Sequence, residues 1–249
     1  MNKHSMQAGA LVLAMILAPA VAAAAEITLL SSNALKAVME ELAPRFETAS
    51  GHKLAIAYGP TNPFKARIEK GEAFDLTILG EGAIDDLVKQ GKLVAATRAV
   101  VARSGLGLAI RKGTPKPDIG TTETFKRTLL NAKSIAYLEG GLTGTYLDVL
   151  FQRLGITDNM KSKYKNARGA EAVAKGEVEL GVTQMSEILH ETGAELAGPL
   201  PPEIQNYTNF ASAISARARQ ADAAKALLKY LTSPDAVRVI KASGLEPPG

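Results

Sequence analysis

Ile27-Thr28-Leu29-Leu30-Ser31-Ser32 is a short apolar run rich in strand-forming residues, and the pattern that follows it decides the fold. Leu35, Val38, Met39, Leu42 and Phe46 then recur at helical spacing across residues 34–49, until Ser50-Gly51 ends the repeat. The cycle repeats with a strand at 53–57 and a helix at 64–70 stopped by Gly71. It repeats again with a strand at 75–79 and a helix at 83–90 stopped by Gly91. Strand alternating with helix three times over predicts a parallel sheet covered by helices, an α/β fold.

Toward the C-terminus the rhythm breaks and restarts. Residues 94–112 are strand-rich, with 106–110 the clearest segment, and Gly113-Thr114-Pro115-Lys116-Pro117-Asp118 is a turn. Helices are then expected at 125–130, 146–154, 170–175 and 185–190, with strands at 134–138 and 180–183. Pro199-Leu200-Pro201-Pro202 marks a second break, 206–215 is extended, and helices at 218–231 and 234–242 close the chain. Two strand–helix units joined by extended segments near 98–110 and 204–216 predict two lobes with two crossing segments. Lobe 1 takes residues 26–104 plus 211–249 and lobe 2 residues 105–210, each a mostly parallel sheet flanked by helices.

Toward the N-terminus, Met1-Asn2-Lys3-His4 is a short basic lead. An apolar run ends at Pro19, and Ala20-Val21-Ala22-Ala23-Ala24-Ala25 is a small-residue stretch suited to signal peptidase. Residues 1–25 therefore read as a cleavable signal peptide, too short to span a bilayer, which needs ~20 apolar residues. The mature charge is +4 less the single charge of Lys3, or +3, with no clustered basic run to track a phosphate backbone, so nucleic acid is a poor partner. With no cysteine there are no disulfides, no thiolate metal sites and no lipid-modified N-terminal cysteine. The expectation is an unanchored, monomeric periplasmic protein, not inserted in membrane, with no cofactor and no metal.

In open α/β sheets ligands bind beyond the carboxyl ends of strands, against helix N-termini. The residues there are Ser31, Ser32 and Asn33 after the first strand, Thr61 and Asn62 after the second, and Gly80-Glu81-Gly82 after the third. In the second lobe they are Thr143, Gly144 and Thr145 in the loop that opens a helix, and Thr183-Gln184 after the next strand. Short hydroxyl, amide and glycine residues at helix N-termini seat an oxyanion or carboxylate. Ordinary N-capping selects the same residues, so the argument rests on several such loops sharing one cleft. Arg103 and Arg168 are the candidate cations to hold a carboxylate, with a solvated surface cation as the other reading of each, whereas Lys65 and Arg67 read as a solvated face. No GxSxG elbow and neither a GxxxxGK[ST] nor a GxGxxG phosphate loop occurs.

These strand-end loops resemble the periplasmic binding proteins of ABC importers, in the two-lobed (type II) group that includes the molybdate-binding proteins. The likeness rests on Ile27 through Ser32 and on Phe46-Glu47-Thr48-Ala49-Ser50-Gly51. It extends through Arg67-Ile68-Glu69-Lys70-Gly71-Glu72-Ala73-Phe74-Asp75-Leu76, Gly144-Thr145-Tyr146 and Gly176-Glu177-Val178-Glu179-Leu180-Gly181-Val182. It implies that Ser31 or Ser32 and Thr61 grip an anion from the first lobe, and Gly144 and its neighbours from the second. The molybdate binders place a tyrosine where this chain has Gln184, which argues against molybdate or tungstate. Pro115-Lys116-Pro117-Asp118-Ile119 and residues 129–136 resemble a branch that includes aconitate isomerases.

Two functions follow. A carrier closes two lobes over a small anion, an oxyanion or a polycarboxylate, and presents it to an ABC permease. An isomerase on the same fold moves the double bond of a tricarboxylate such as aconitate, which needs cations and a base. Arg103 and Arg168 would supply the cations. Glu81, Tyr207 and His190 are the bases to consider, and no catalytic residue is assigned. The carrier is the favoured reading.

Overall fold

A computed structural model describes residues 24–247. The expected signal peptide, residues 1–25, lies outside them apart from its last two positions. In chain order the elements are β1 (Glu26–Ser32), a 3₁₀ turn (Asn33–Leu35), α1 (Lys36–Ser50), β2 (Lys53–Gly59), α2 (Thr61–Glu69), β3 (Leu76–Gly80), α3 (Glu81–Lys89) and the long β4 (Ala99–Arg111). Then come α4 (Thr122–Asn131), β5 (Ile135–Tyr137), α5 (Leu142–Leu154), α6 (Thr157–Lys161), β6 (Tyr164–Asn166) and α7 (Gly169–Ala174). The chain continues with β7 (Leu180–Gln184), α8 (Met185–Leu189), β8 (Ala194–Pro199), β9 (Tyr207–Ile214), α9 (Ala221–Leu231) and α10 (Pro234–Ala242).

The strands lie in the order β2-β1-β3-β9-β4-β7-β5-β6, with β8 paired to β4. Within each half the pairings of β1 with β2 and β3, and of β5 with β6 and β7, are parallel. The crossing strands β4 and β9 run antiparallel to their neighbours. This is the two-lobed α/β arrangement that the alternating pattern predicts. In β1, Ile27 and Leu29 face one core with Val38, Met39, Leu42 and Phe46 of α1, while Leu30 faces another with Phe64 and Leu79. That two-sided burial is what a central parallel strand covered by helices on both faces requires. The closing helices α9 and α10 bury Leu227, Leu231, Val239 and Ile240 in the α1 core. The second lobe has its own core around Phe125, Leu147 and Val182.

The crossing occurs inside β4. Its first part pairs with β9 as far as Gly105↔Tyr207, and from Leu106↔Gln184 onward it pairs with β7. At the change-over the Gln205 side chain serves both backbone groups of Leu106. Its Oε1 accepts from the Leu106 N–H at 2.8 Å and its Nε2 donates to the Leu106 carbonyl at 3.0 Å.

Three elements escaped the sequence pattern: α6, β6 and β8. β6 is an exposed edge of three residues, Tyr164-Lys165-Asn166, with no apolar alternation to announce it. β8 runs along the outer side of β4 with Leu196 as its one large apolar residue, too little to mark a strand. Among the described residues no helix is long and apolar enough to cross a membrane.

Candidate anion site between the lobes

Four loops converge where the lobes meet. Ser32 ends β1, and its hydroxyl accepts from the Ala34 N–H at 3.4 Å, starting the 3₁₀ turn. Thr61 opens α2 after Pro60, and its Oγ1 accepts from the Gly80 N–H at 3.1 Å, which leaves its own proton for a further acceptor. From the other lobe, α5 starts at Leu142, so its first-turn N–H groups have no partner within the helix. Gly144 is required there, since a Cβ would sit 2.5 Å from the Leu138 carbonyl oxygen. The N-terminus of α5 therefore lies tight against the loop that precedes it.

Between these loops is a cavity of about 50 Å³ lined by residues of both lobes. Of the residues predicted from sequence, Ser32, Asn33, Thr61, Thr143, Arg168 and Gln184 line it. A larger cavity of about 660 Å³ adjoins it through Leu142, Thr143 and Gln184, and adds Asn62 and Thr145. Ser31, Gly144 and Arg103 line neither. Ser31 is fully buried, with its hydroxyl against the Ser32 carbonyl, and Gly144 is covered by Leu138. Arg103 lies over the Tyr207 ring at 3.9 Å and pairs with Glu246 at 3.5 Å. Its backbone exchanges two 2.8 Å hydrogen bonds with Glu246, so it ties the C-terminal segment to β4.

Two polar atoms at the smaller cavity are buried without a partner. One is Arg168 Nε, whose guanidinium otherwise reaches only Glu171, at 3.4 Å from Nη1. The other is Gln184 Oε1, whose amide donates through Nε2 to Thr208 Oγ1 at 3.2 Å. A threonine hydroxyl serves either amide orientation, so the free amide atom is a donor if the group is turned over. Each such atom is costly to bury unpaired, by about 1–3 kcal/mol, so both call for a partner from the cavity, water or ligand.

Glu187, in the short helix α8 four residues after Thr183 of β7, is the residue that sequence reading missed. It lines the same cavity and accepts from the Thr183 hydroxyl at 2.8 Å. Burial pushes its carboxyl above the usual carboxylate range; the Thr183 bond and the Arg168 charge oppose that rise without cancelling it. The residue keeps some accessible surface.

The bases considered from sequence are placed otherwise. Glu81 lines the larger cavity, but it accepts from Asn209 Nδ2 at 2.9 Å and is paired with Arg98, and these two bonds hold it below the usual carboxylate range. Tyr207 also lines the larger cavity and is 44% exposed. His190 is exposed beyond α8, its Nδ1 2.9 Å from the Ser186 carbonyl. Lys65 is not a purely solvated residue: it lines the larger cavity and pairs with Asp86 at 2.8 Å. Arg67 pairs with Glu72 on the surface. Among the described residues no cluster of His, Asp or Glu could hold a metal ion.

The fold and the cleft at the ends of its strands define a two-lobed binding protein of the periplasmic type. The chain matches the family described as bacterial extracellular solute-binding protein over residues 27–246, and it belongs to that family. It is 34% identical over 248 residues to an aconitate isomerase of a Pseudomonas species, covering 96% of this chain and 94% of that protein. It is 29% identical over 231 residues to the molybdate-binding protein ModA of Azotobacter vinelandii, covering 90% of each. The solved structure of the Azotobacter vinelandii periplasmic molybdate-binding protein superposes with a TM-score of 0.74 at 20% identity, over 90% of this chain and all of that one.

Proposed function

We propose that the protein captures a small anion, an oxyanion or a carboxylate, between lobe 1 (26–104 plus 211–249) and lobe 2 (105–210), in the periplasm, for delivery to an ABC permease. The observation that carries this reading is the pair of unpartnered buried atoms, Arg168 Nε and Gln184 Oε1, beside a cavity of about 50 Å³ between the lobes. Ser32, Asn33, Thr61, Thr143 and the N-terminal turn of α5 are the further ligand contacts in this reading, with Asn62 and Thr145 at its edge. A guanidinium, hydroxyls and helix N–H groups around so small a space suit one tetrahedral or planar oxyanion group. Relatives named for molybdate binding support the class of ligand, while Gln184 argues against molybdate itself. The protein works as a monomer exported by its signal peptide. The test is a thermal-shift and calorimetric screen of the purified protein against molybdate, sulfate, citrate and both aconitate isomers. A screen with no binder removes the reading.

One observation favours a second reading, isomerisation of a tricarboxylate. Glu187 faces the cavity that Arg168 also lines, and a relative over nearly the whole chain is named aconitate isomerase. A tricarboxylate would occupy both the smaller cavity and the adjoining one, with Arg168 steadying enolate-like charge and Glu187 moving the proton. Incubation of the protein with trans-aconitate, followed by proton NMR for cis-aconitate, decides between the two. No conversion over hours leaves the carrier alone.

A further inference from the structure

We propose that the bound anion and Glu187 share one proton, so that the site takes up a proton together with its ligand. The inference rests on the anion-capture reading above. An anion held by Arg168 and the N-terminal turn of α5 lies in a space of about 50 Å³ that Glu187 also lines. Two negative groups confined that closely repel each other, while a proton between them gives a charge-assisted hydrogen bond.

The surroundings leave Glu187 free for this. Its one side-chain partner is the Thr183 hydroxyl, which bonds to Oε2. Among the described residues no Lys, Arg or His nitrogen lies within ion-pair distance of it, and Arg168 is paired with Glu171 instead. Of the charged groups on elements packed against α8, Arg168 before α7 is the one that draws the carboxyl toward ionisation. Lys36 of α1 pairs with Glu40, Arg103 of β4 with Glu246, and Glu195 of β8 with Lys116. His190, at the end of α8, is turned to the Ser186 carbonyl. Burial without a cationic partner favours the proton-bearing form.

The chemistry fits either source of the proton. A fully ionised anion such as sulfate would accept it from Glu187, and an anion that carries its own, such as hydrogen phosphate, would donate it to the Glu187 carboxylate. The experiment is calorimetry of the wild-type protein and of Glu187→Gln with sulfate, molybdate, phosphate, citrate and trans-aconitate, from about pH 5 to about pH 8, in buffers of different ionisation heat. For a fully ionised anion, wild-type affinity is expected to fall by up to about tenfold per pH unit above the Glu187 pKa, whereas for hydrogen phosphate, which brings the shared proton, it should not fall there. Proton uptake from buffer is expected to approach one per fully ionised anion at the alkaline end. Glu187→Gln, which keeps the neutral shape, should bind with a flatter profile and less buffer-dependent heat. Equal slopes and proton counts in the two proteins overturn the proposal and leave anion capture intact. If the variant does not fold, the wild-type proton count decides alone, and a count of zero for sulfate or molybdate at the alkaline end overturns it. Absence of any binding in the wild type overturns the underlying reading as well.

Discussion

Ser186 Oγ donates to the carbonyl of Ala34 at 3.0 Å, and the two residues, far apart in sequence, sit in different lobes. This bond joins the start of α8 to the 3₁₀ turn after β1, beside the cavity. Both residues are buried, so the carbonyl has no ready substitute for the hydroxyl. Ser186→Ala is expected to weaken the closed form by about 1 kcal/mol, which is roughly a fivefold loss of ligand affinity expressed mainly in a faster off-rate. Stopped-flow dissociation of the bound anion checks this, and an unchanged off-rate would show that the bond does not hold the lobes together.

Arg168 is the one cation lining the smaller cavity. Arg168→Ala should lower anion affinity by about 100-fold, in line with about 3 kcal/mol for a charge-assisted contact. Arg168→Lys should recover little of it, because a point charge on a flexible stem cannot reproduce the direction of Nε. Titration calorimetry of both variants is the measurement. Full rescue by lysine would reduce the role of Arg168 to net charge.

Gly80 faces Leu142 across the junction, and a Cβ there would lie 2.5 Å from Leu142 Cδ1. The leucine tip yields to one methyl group, so Gly80→Ala is expected to be mild. Gly80→Leu needs more room than the tip can give and should prop the lobes apart, lowering affinity at least about tenfold. Small-angle scattering would record a larger radius of gyration in the presence of ligand than for wild type.

Burial raises the Glu187 carboxyl, which fixes the sign of its effect on stability. The stability associated with its protonated form is fully present below the unfolded pKa of about 4.3 and is lost as pH rises through the folded value. Thermal unfolding of wild type and Glu187→Gln should therefore diverge as pH rises above the unfolded value of about 4.3, with the variant melting progressively higher relative to wild type. Parallel curves would contradict a raised carboxyl at this position.

Asp75 is a tie point in the first lobe. Its Oδ2 accepts from the Thr28 N–H at 2.9 Å, and its Oδ1 accepts from the N–H groups of Arg219 and Gln220 at 2.8 and 2.9 Å. One buried carboxylate thus connects β1, the start of β3 and the chain entering α9. Asp75→Ala strands three backbone donors and should cost about 3 kcal/mol, read as a lower urea midpoint.

Much of this architecture was legible because burial leaves a periodic mark. The two-sided apolar runs of β1 and β3, and the Val38–Met39–Leu42–Phe46 stripe of α1, announce themselves in any reading of the chain. The strand-end loops were legible to the extent that Thr61, Thr143 and Gln184, expected at strand ends, line one cavity. β6 and β8 were not, because edge strands need bury little and so carry no alternation. The place of Arg103 over the Tyr207 ring was not legible, because a charge beside a crossing strand reads the same whether it faces a ligand or an aromatic ring. Glu187 was missed because nothing in a five-residue helix separates an inward carboxylate from a surface one until the opposite lobe is in place.

The link that β4 makes between the lobes is not slack. β4 passes from its partner β9 to its partner β7 within one residue step, and the Gln205 amide clamps both backbone groups of Leu106 at that step. A hydrogen-bonded ribbon resists bending in a way that a loop does not. In the anion-capture reading, any swing of the lobes would have to flex that ribbon as a spring flexes. Softening the spring, as Gln205→Ala would, should widen the swing of the lobes without touching any residue that meets the anion.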